Sequence, residues 1–453
     1  MLLGRTSELR YLNNYFDREG SQVLVVYGQK YIGKTALVKE FMEDKAGYYY
    51  LARACSEREQ VYQWTRQLQR DGYEIDPFPS FHDIFAKITR RSSGKKVLVI
   101  DEFQNIVKTS DQFMKELVSF VHSQWNRDEI MVVLCSSSIG WIENSMITRI
   151  GEAAYELSGF LKIREMPFDD IIQRFPNFRI EECVEAYAIL GGFPGLWNRF
   201  DDRLTIQQNI CRNILDINSF LFEAGEHILT DQLREPGVYN TILASIAAGN
   251  HKLNSLYLHT EFSRAKISVY LKNLIELELV EKVFSYDTAG NENVQKGIYR
   301  ICHPFVDFYY TYMYPYLSDL HTLSVGEYYN RYIMSDFRQY VSEYFKKVCR
   351  QHLTKLNNRK KLPIMLDVVG EWVGKDGGLD IIAQDEEGQT LIGLCSWEKP
   401  VAYEDYENLL GYARKAKINA DYIYMYTAFR FDERLNLEAK IKPNLRLMQI
   451  TDI

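Results

Sequence analysis

The sequence predicts an α/β fold whose first part is a parallel sheet flanked by helices, and three observations carry that prediction. The first is Ser21–Tyr27 (SQVLVVY), an apolar, β-branched run that reads as a buried parallel strand. It feeds a glycine-containing turn, Gly28 to Thr35, and then Thr35–Met42, where Leu37, Val38 and Phe41 fall at helical spacing. The second is Lys96–Gln104 (KVLVIDEFQ), a strand that ends in two adjacent acids. The third is the alternation around them. Ala46–Leu51 and Ile130–Leu134 read as further strands, separated by helical stretches to about residue 90 and over 110–127, with Phe113, Leu117 and Phe120 inward.

The turn Gly28-Gln29-Lys30-Tyr31-Ile32-Gly33-Lys34-Thr35 fits the phosphate-binding pattern G-x-x-x-x-G-K-[ST]. A strand leading through such a turn into a helix N-terminus aims backbone N–H groups and the positive dipole end at a polyphosphate. Gly28 and Gly33 permit conformations and close approaches that a Cβ would block. The candidate nucleotide-binding residues run from Gly28 through Gln29, Lys30, Tyr31, Ile32, Gly33, Lys34 and Thr35 to Ala36. In this pattern the Lys34 ammonium neutralises β- and γ-phosphate charge and the Thr35 hydroxyl ligates Mg²⁺. ATP and Mg²⁺ are therefore the expected ligands. Asp101 and Glu102, in IDEFQ, resemble a Walker B motif, with Asp101 supporting the metal and Glu102 polarising the attacking water.

At 453 residues the chain has room for two to four domains. Its 46% hydrophobic and 25% charged content is that of a soluble globular protein. A net charge of −7 argues against a generally basic nucleic-acid coat. No apolar run reaches the length of a membrane span, and the N-terminal stretch has no signal-peptide core. Seven scattered cysteines without a C-x-x-C pair fit thiols in a reducing cytoplasm, with no membrane partner.

Gly4, Arg5, Glu8, Leu9 and Leu12 meet the pattern G-R-x-x-E-L-x-x-L. Together with the phosphate loop and IDEFQ, this chain resembles the archaeal-type ATPases of the STAND group of P-loop NTPases. The resemblance implies a slow ATPase acting as a molecular switch, with oligomerisation on nucleotide binding. It places Gly4 and Arg5 near the adenine. It also implies a γ-phosphate sensor where Ile130–Leu134 runs into Cys135-Ser136-Ser137-Ser138; Ser136 stands where glycine is usual, and Ser137 is the candidate. A plain serine-rich turn explains the same residues equally well. Arg149 is the candidate charge-stabilising arginine, with an ordinary surface arginine as the competing reading. Gly191-Gly192-Phe193-Pro194 matches the family's G-G-x-P and reads chemically as a helix stop and restart.

The domains expected on this reading are a P-loop ATPase core over 1–165, a helical lid over 166–232 and a winged helix over 233–302. An aromatic connector over 303–335 and an α/β domain over 336–453 complete the chain. Arg264, Lys266 and Lys272 on the winged helix's third helix are diluted by Glu276, Glu278 and Glu281, which favours a protein or interdomain contact over direct DNA reading. The last domain, with a helix over 337–353 and strands over Ile364–Val373, Gly378–Gln384, Gln389–Trp397, Asp421–Tyr426 and near Leu445–Ile450, resembles the restriction-endonuclease-like PD-(D/E)xK fold. Metal-dependent cleavage there needs an Asp and a Glu-x-Lys. Asp380 is present, but Leu394 and Ser396 occupy the Glu and Lys positions, and Glu398 and Lys399 lie beyond them. Glu343 and Asp380 alone make a poor start for an octahedral Mg²⁺ site, so this domain is expected to be catalytically inactive. A nuclease or DNA-binding activity regulated by ATP is the alternative function.

Overall fold

The computed structural model describes residues 3–89, 94–124, 129–230, 233, 235–286, 297–374 and 377–453, apart from the side chains of residues 226, 229 and 230. The expected boundary at 232/233 and the end of the expected 110–127 helix lie outside these residues. Two compact units emerge, one of Met1–Glu165 with Phe193–Gly195, the other of Met166–Gly192 with Leu196–Ile453.

The first unit is a five-stranded, wholly parallel sheet. Its strands are β1 (Gln22–Tyr27), β2 (Gly47–Leu51), β3 (Lys96–Asp101), β4 (Ile130–Ser136) and β5 (Gly159–Lys162), in the order β2-β3-β4-β1-β5. Every residue of β3 and β4 is buried, which is why those segments are continuous apolar runs and do not alternate. β2 sits at the edge and alternates: Tyr48 and Tyr50 point into the core, where Tyr50 stacks on Trp64 with centroids 4.0 Å apart. Helices Glu57–Arg70, Phe81–Thr89 and Phe113–Ser123 cover that side with Trp64, Phe81, Phe85, Phe113 and Phe120. Because β4 lies between β1 and β3, the carboxyl ends of these three strands are side by side. An open parallel sheet presents its ligand-binding crevice at such ends.

The second unit begins with helices Phe168–Arg174, Ile180–Leu190 and Ile206–Asn213. Three helices, Pro236–Ala247, Leu253–Thr260 and Arg264–Glu276, then precede the antiparallel pair β6 (Val280–Val283) and β7 (Ile298–Ile301). The 303–310 stretch is core: His303 is buried and its Nδ1 accepts from Val306 N at 3.4 Å, capping the helix Pro304–Phe308. The helix Phe337–Asn358 packs on a mixed sheet of order β12-β11-β10-β9-β8. These strands are β8 (Val368–Val373), β9 (Gly378–Gln384), β10 (Thr390–Ser396), β11 (Tyr422–Thr427) and β12 (Leu445–Gln449). The first three are antiparallel neighbours and the last three parallel ones.

Three local expectations needed correction. β8 begins at Val368, four residues later than expected, because the chain first runs irregularly through Pro363. The helix expected to end at 353 continues to Asn358. Glu433–Ile441 is a helix that the strand-dominated reading passed over. It buries only Leu435 and leaves Leu437 and Ile441 exposed, so no apolar stripe marks it. Its legible signal was the cap: Asp432 accepts from Leu435 N at 2.6 Å.

Candidate functional site

The phosphate loop leaves β1 and enters the helix Lys34–Met42. Gly28 is buried against the chain after β5, so closely that a Cβ there would lie 2.5 Å from Ile163 O. Gly33 caps the helix at φ 99°, a left-handed conformation that glycine adopts without strain. Tyr31 adopts φ 65° although it is not glycine. Lys34 is almost fully buried, and its Nζ donates to Gly28 O and Gln29 O at 2.9 Å each. Burial pulls its pKa down, opposed by the charges of Glu102 and Asp101. Lys30 stands over the Tyr31 ring, Ile32 is buried, and Thr35 and Ala36 are exposed at the helix start.

The acids at the end of β3 converge on the loop. Thr35 Oγ1 donates to Asp101 Oδ2 at 3.0 Å, so the hydroxyl keeps its lone pairs for another partner. Asp101 Oδ1 accepts from Glu102 N at 3.0 Å. Glu102 sits at φ 54°, a strained setting for a non-glycine residue, and this turns its side chain toward the end of β4. There Glu102 Oε2 accepts from Ser137 Oγ at 2.8 Å and from Ser137 N at 3.1 Å. Gln104 Nε2 donates to the same oxygen. The donor set beside the loop consists of hydroxyl and carboxylate oxygens, which suits a hard cation such as Mg²⁺.

Arg5 also reaches the loop. Its Nη2 donates to Ile32 O at 2.9 Å, and Nη1 pairs with Glu8 at 2.8 Å. Gly4, at φ 66°, makes the turn that precedes it. Arg149 is placed differently: it pairs with Asp111 at 2.8 Å and donates from Nε to Val107 O at 3.2 Å. Those partners belong to the segment after β3 and not to the loop. Phe193–Gly195 packs with the first unit: Gly195 N donates to Tyr31 O at 2.9 Å, and Pro194 Cγ would lie 3.8 Å from a Cβ on Gly33.

Two residues in this constellation escaped the sequence reading. Tyr49 Oη donates to Asp101 Oδ2 at 2.6 Å, and Gln104 holds Glu102. Tyr49 looked like one tyrosine of a strand. Its odd position between two core-facing tyrosines was the available signal.

In the second unit, Asp380 and Glu343 do come together, bridged by a lysine. Lys346 Nζ is 2.8 Å from Glu343 Oε1 and 3.3 Å from Asp380 Oδ1. Asp380 Oδ2 accepts from Cys395 N at 2.9 Å, and Arg350 donates to Asp380 O at 3.0 Å. Leu394 packs against the core beneath β10, and Ser396 Oγ donates to Lys399 O at 2.7 Å. Lys399 pairs with Asp405 at 3.0 Å, and Glu398 is exposed. Neither restores the missing pair of side chains.

Residues 2–199 match the family described as an ATPase domain predominantly from Archaea. Residues 309–409 match a family of archaeal and bacterial proteins of unknown function. An uncharacterized protein of Methanocaldococcus jannaschii is 27% identical over 401 residues, 88% of each chain. An uncharacterized ATP-binding protein of the same organism is 33% identical over 45 residues, 10% of this chain and 76% of that one. Among solved structures, a Walker-type ATPase of Pyrococcus abyssi is similar at TM-score 0.47 and 15% identity, over 68% of this chain and 96% of that one. The ORC2 protein of Aeropyrum pernix is similar at TM-score 0.47 and 14% identity, over 71% and 94%. Over residues 2–199 the chain is thus similar to an ATPase domain family found predominantly in Archaea.

Proposed function

We propose that this protein binds ATP with Mg²⁺ at residues 28–36 and hydrolyses it slowly, as a switch that passes its nucleotide state to the segments after residue 165. The observation that carries this reading is the hydrogen bond from Thr35 Oγ1 to Asp101 Oδ2, 3.0 Å long, beside the buried ammonium of Lys34. Bound Mg²⁺ would supply charge neutralisation at the β- and γ-phosphates, held through Thr35 and Asp101. Lys34 leaves its two loop carbonyls for phosphate oxygens. The Glu102 carboxylate takes a proton from the attacking water once Ser137 and Gln104 release it. All three donors meet one Glu102 oxygen, Oε2.

Phe193–Gly195 supports the switch reading. These three residues pack with the first unit, yet the chain on both sides of them belongs to the second. A change at Tyr31 would reach Gly195 through their hydrogen bond. On this reading residues 166–232 act as a lid, 233–302 as a winged helix, 303–335 as a connector and 336–453 as a nuclease-like domain without cleavage activity. Arg149 would act from a neighbouring subunit after breaking its pair with Asp111. A DNA or protein partner, and assembly on nucleotide binding in the cytoplasm, complete the proposal. The test is ATP turnover with Mg²⁺ for wild type, Glu102→Gln and Lys34→Ala. Wild-type hydrolysis, binding without turnover in Glu102→Gln, and strongly weakened binding in Lys34→Ala are expected. A wild type that binds no nucleotide would sink the reading.

A further inference from the structure

Asp101 is buried to 3% exposure, and each of its two oxygens accepts from neutral donors. Oδ1 accepts from Glu102 N, and Oδ2 accepts from both Thr35 Oγ1 at 3.0 Å and Tyr49 Oη at 2.6 Å. The third of these comes from the neighbouring strand. In the β2–β3 register Tyr49 pairs with Val99 and Leu51 with Asp101, so the Tyr49 ring reaches forward by two residues to the carboxylate. Its flanking residues, Tyr48 and Tyr50, are turned into the core, as strand alternation requires. Tyr49 faces the helix Lys34–Met42, where Lys39 Nζ stands 5.8 Å above its ring. Thr35 and Lys39 are four residues apart, so one helix face presents both the hydroxyl that shares Asp101 and the cation that holds the phenol ring.

A carboxylate that supports a metal must keep both its charge and its rotamer. A phenol can fix the rotamer without neutralising the charge, which a lysine or arginine would do. We propose that Tyr49 is a positioning residue for the metal-supporting carboxylate: it holds Asp101 against Thr35 and thereby sets the affinity of the loop for Mg²⁺. The inference rests on the proposed reading of the loop as an Mg-ATP site. It makes Tyr49 a determinant of metal affinity and leaves water activation to Glu102.

The experiment uses the full chain as wild type, Tyr49→Phe and, as the opposite-face control, Tyr48→Phe. Two quantities are measured: Mn²⁺ affinity in the presence of ADP, read by electron paramagnetic resonance, and ATP turnover against Mg²⁺ concentration at saturating ATP. Tyr49→Phe keeps the ring and its contact with Lys39, and removes only the donor. The expected result is an about 10-fold loss of Mn²⁺ affinity with a matching rise in half-saturating Mg²⁺. Turnover at saturating Mg²⁺ should stay near wild type, and Tyr48→Phe should move neither metal quantity. Unchanged Mn²⁺ affinity in Tyr49→Phe, or a fall in turnover at saturating Mg²⁺ with the half-saturation point unmoved, would overturn the inference alone. A wild type that binds neither ATP nor Mn²⁺-ADP would overturn it together with the reading of the loop.

Discussion

Lys34 and Lys346 each stand beside a pair of carboxylates, and the two units use them in opposite ways. In the first unit the lysine is held by backbone carbonyls at 2.9 Å, and among the described residues Asp101 and Glu102 receive neutral donors: Thr35, Tyr49, Ser137, Gln104 and backbone amides. In the second the lysine lies between Glu343 and Asp380, at 2.8 and 3.3 Å, and pairs with both. The pKa values follow. Burial depresses Lys34, and the nearby acids offset that only in part. Burial also acts against Lys346, but Asp380 and Glu343 outweigh it and raise its pKa. Carboxylates held by neutral donors retain a charge that attracts a metal ion. Carboxylates already paired with an ammonium do not.

The largest effects should come from breaking the first arrangement. Glu102→Gln keeps the oxygen that Ser137 and Gln104 hold but cannot accept a proton, so turnover should fall about 100- to 10,000-fold with nucleotide still bound. Lys34→Ala should weaken ATP binding about 10- to 100-fold, because charge-assisted contacts to phosphate are lost. Equilibrium binding of a fluorescent ATP analogue separates the two variants.

Gly195→Val comes next. A Cβ at Gly195 would lie 2.9 Å from Tyr31 O and 3.0 Å from Tyr31 Cα, so the loop must shift. Nucleotide affinity should drop severalfold, with a stability loss of about 1–3 kcal/mol visible in denaturant titration. An affinity equal to wild type would show that the loop does not need this contact.

Lys346→Met should destabilise the second unit by about 1–3 kcal/mol, since Asp380 loses its charged partner while remaining mostly buried. ATP turnover should be unchanged, which sharpens the contrast between the two lysines. A variant as stable as wild type would mean that the Glu343–Lys346–Asp380 bridge is marginal.

A further effect concerns pH. Asp307, whose Oδ2 accepts from Tyr344 Oη at 2.7 Å, is pushed up to about 7 by burial, with Glu343 adding to the shift against its hydrogen bonds. Glu185 is likewise pushed up to about 7 by burial and by Glu182. The folded protein then holds protons that the unfolded chain has released. Stability should therefore decline as pH rises from about 4 to 7 and level off above that. Asp307→Asn should flatten part of this slope in urea titrations at pH 5 and pH 7. An unchanged slope would remove Asp307 from the account.

How far the sequence reached depended on distance along the chain. The phosphate loop and IDEFQ were legible because their chemistry depends on adjacent residues: a strand, a turn and a helix start in succession. The strands β1, β3, β4 and β9 were legible for the same reason, since fully or largely buried strands leave continuous apolar runs. The partners of the site residues were not. Tyr49 and Asp101 are 52 residues apart, Ser137 and Glu102 are 35 apart. Hydrophobic periodicity reports which face of an element is buried, but says nothing of which element it will meet. The sequence by itself thus determined that a G-x-x-x-x-G-K-T turn and two adjacent acids follow buried strands. Only the tertiary structure decided that neutral donors hold one carboxylate pair and an ammonium the other. Strand order brings residues from separate segments within hydrogen-bonding distance, and the charge state of a carboxylate depends on what stands within about 4 Å of it.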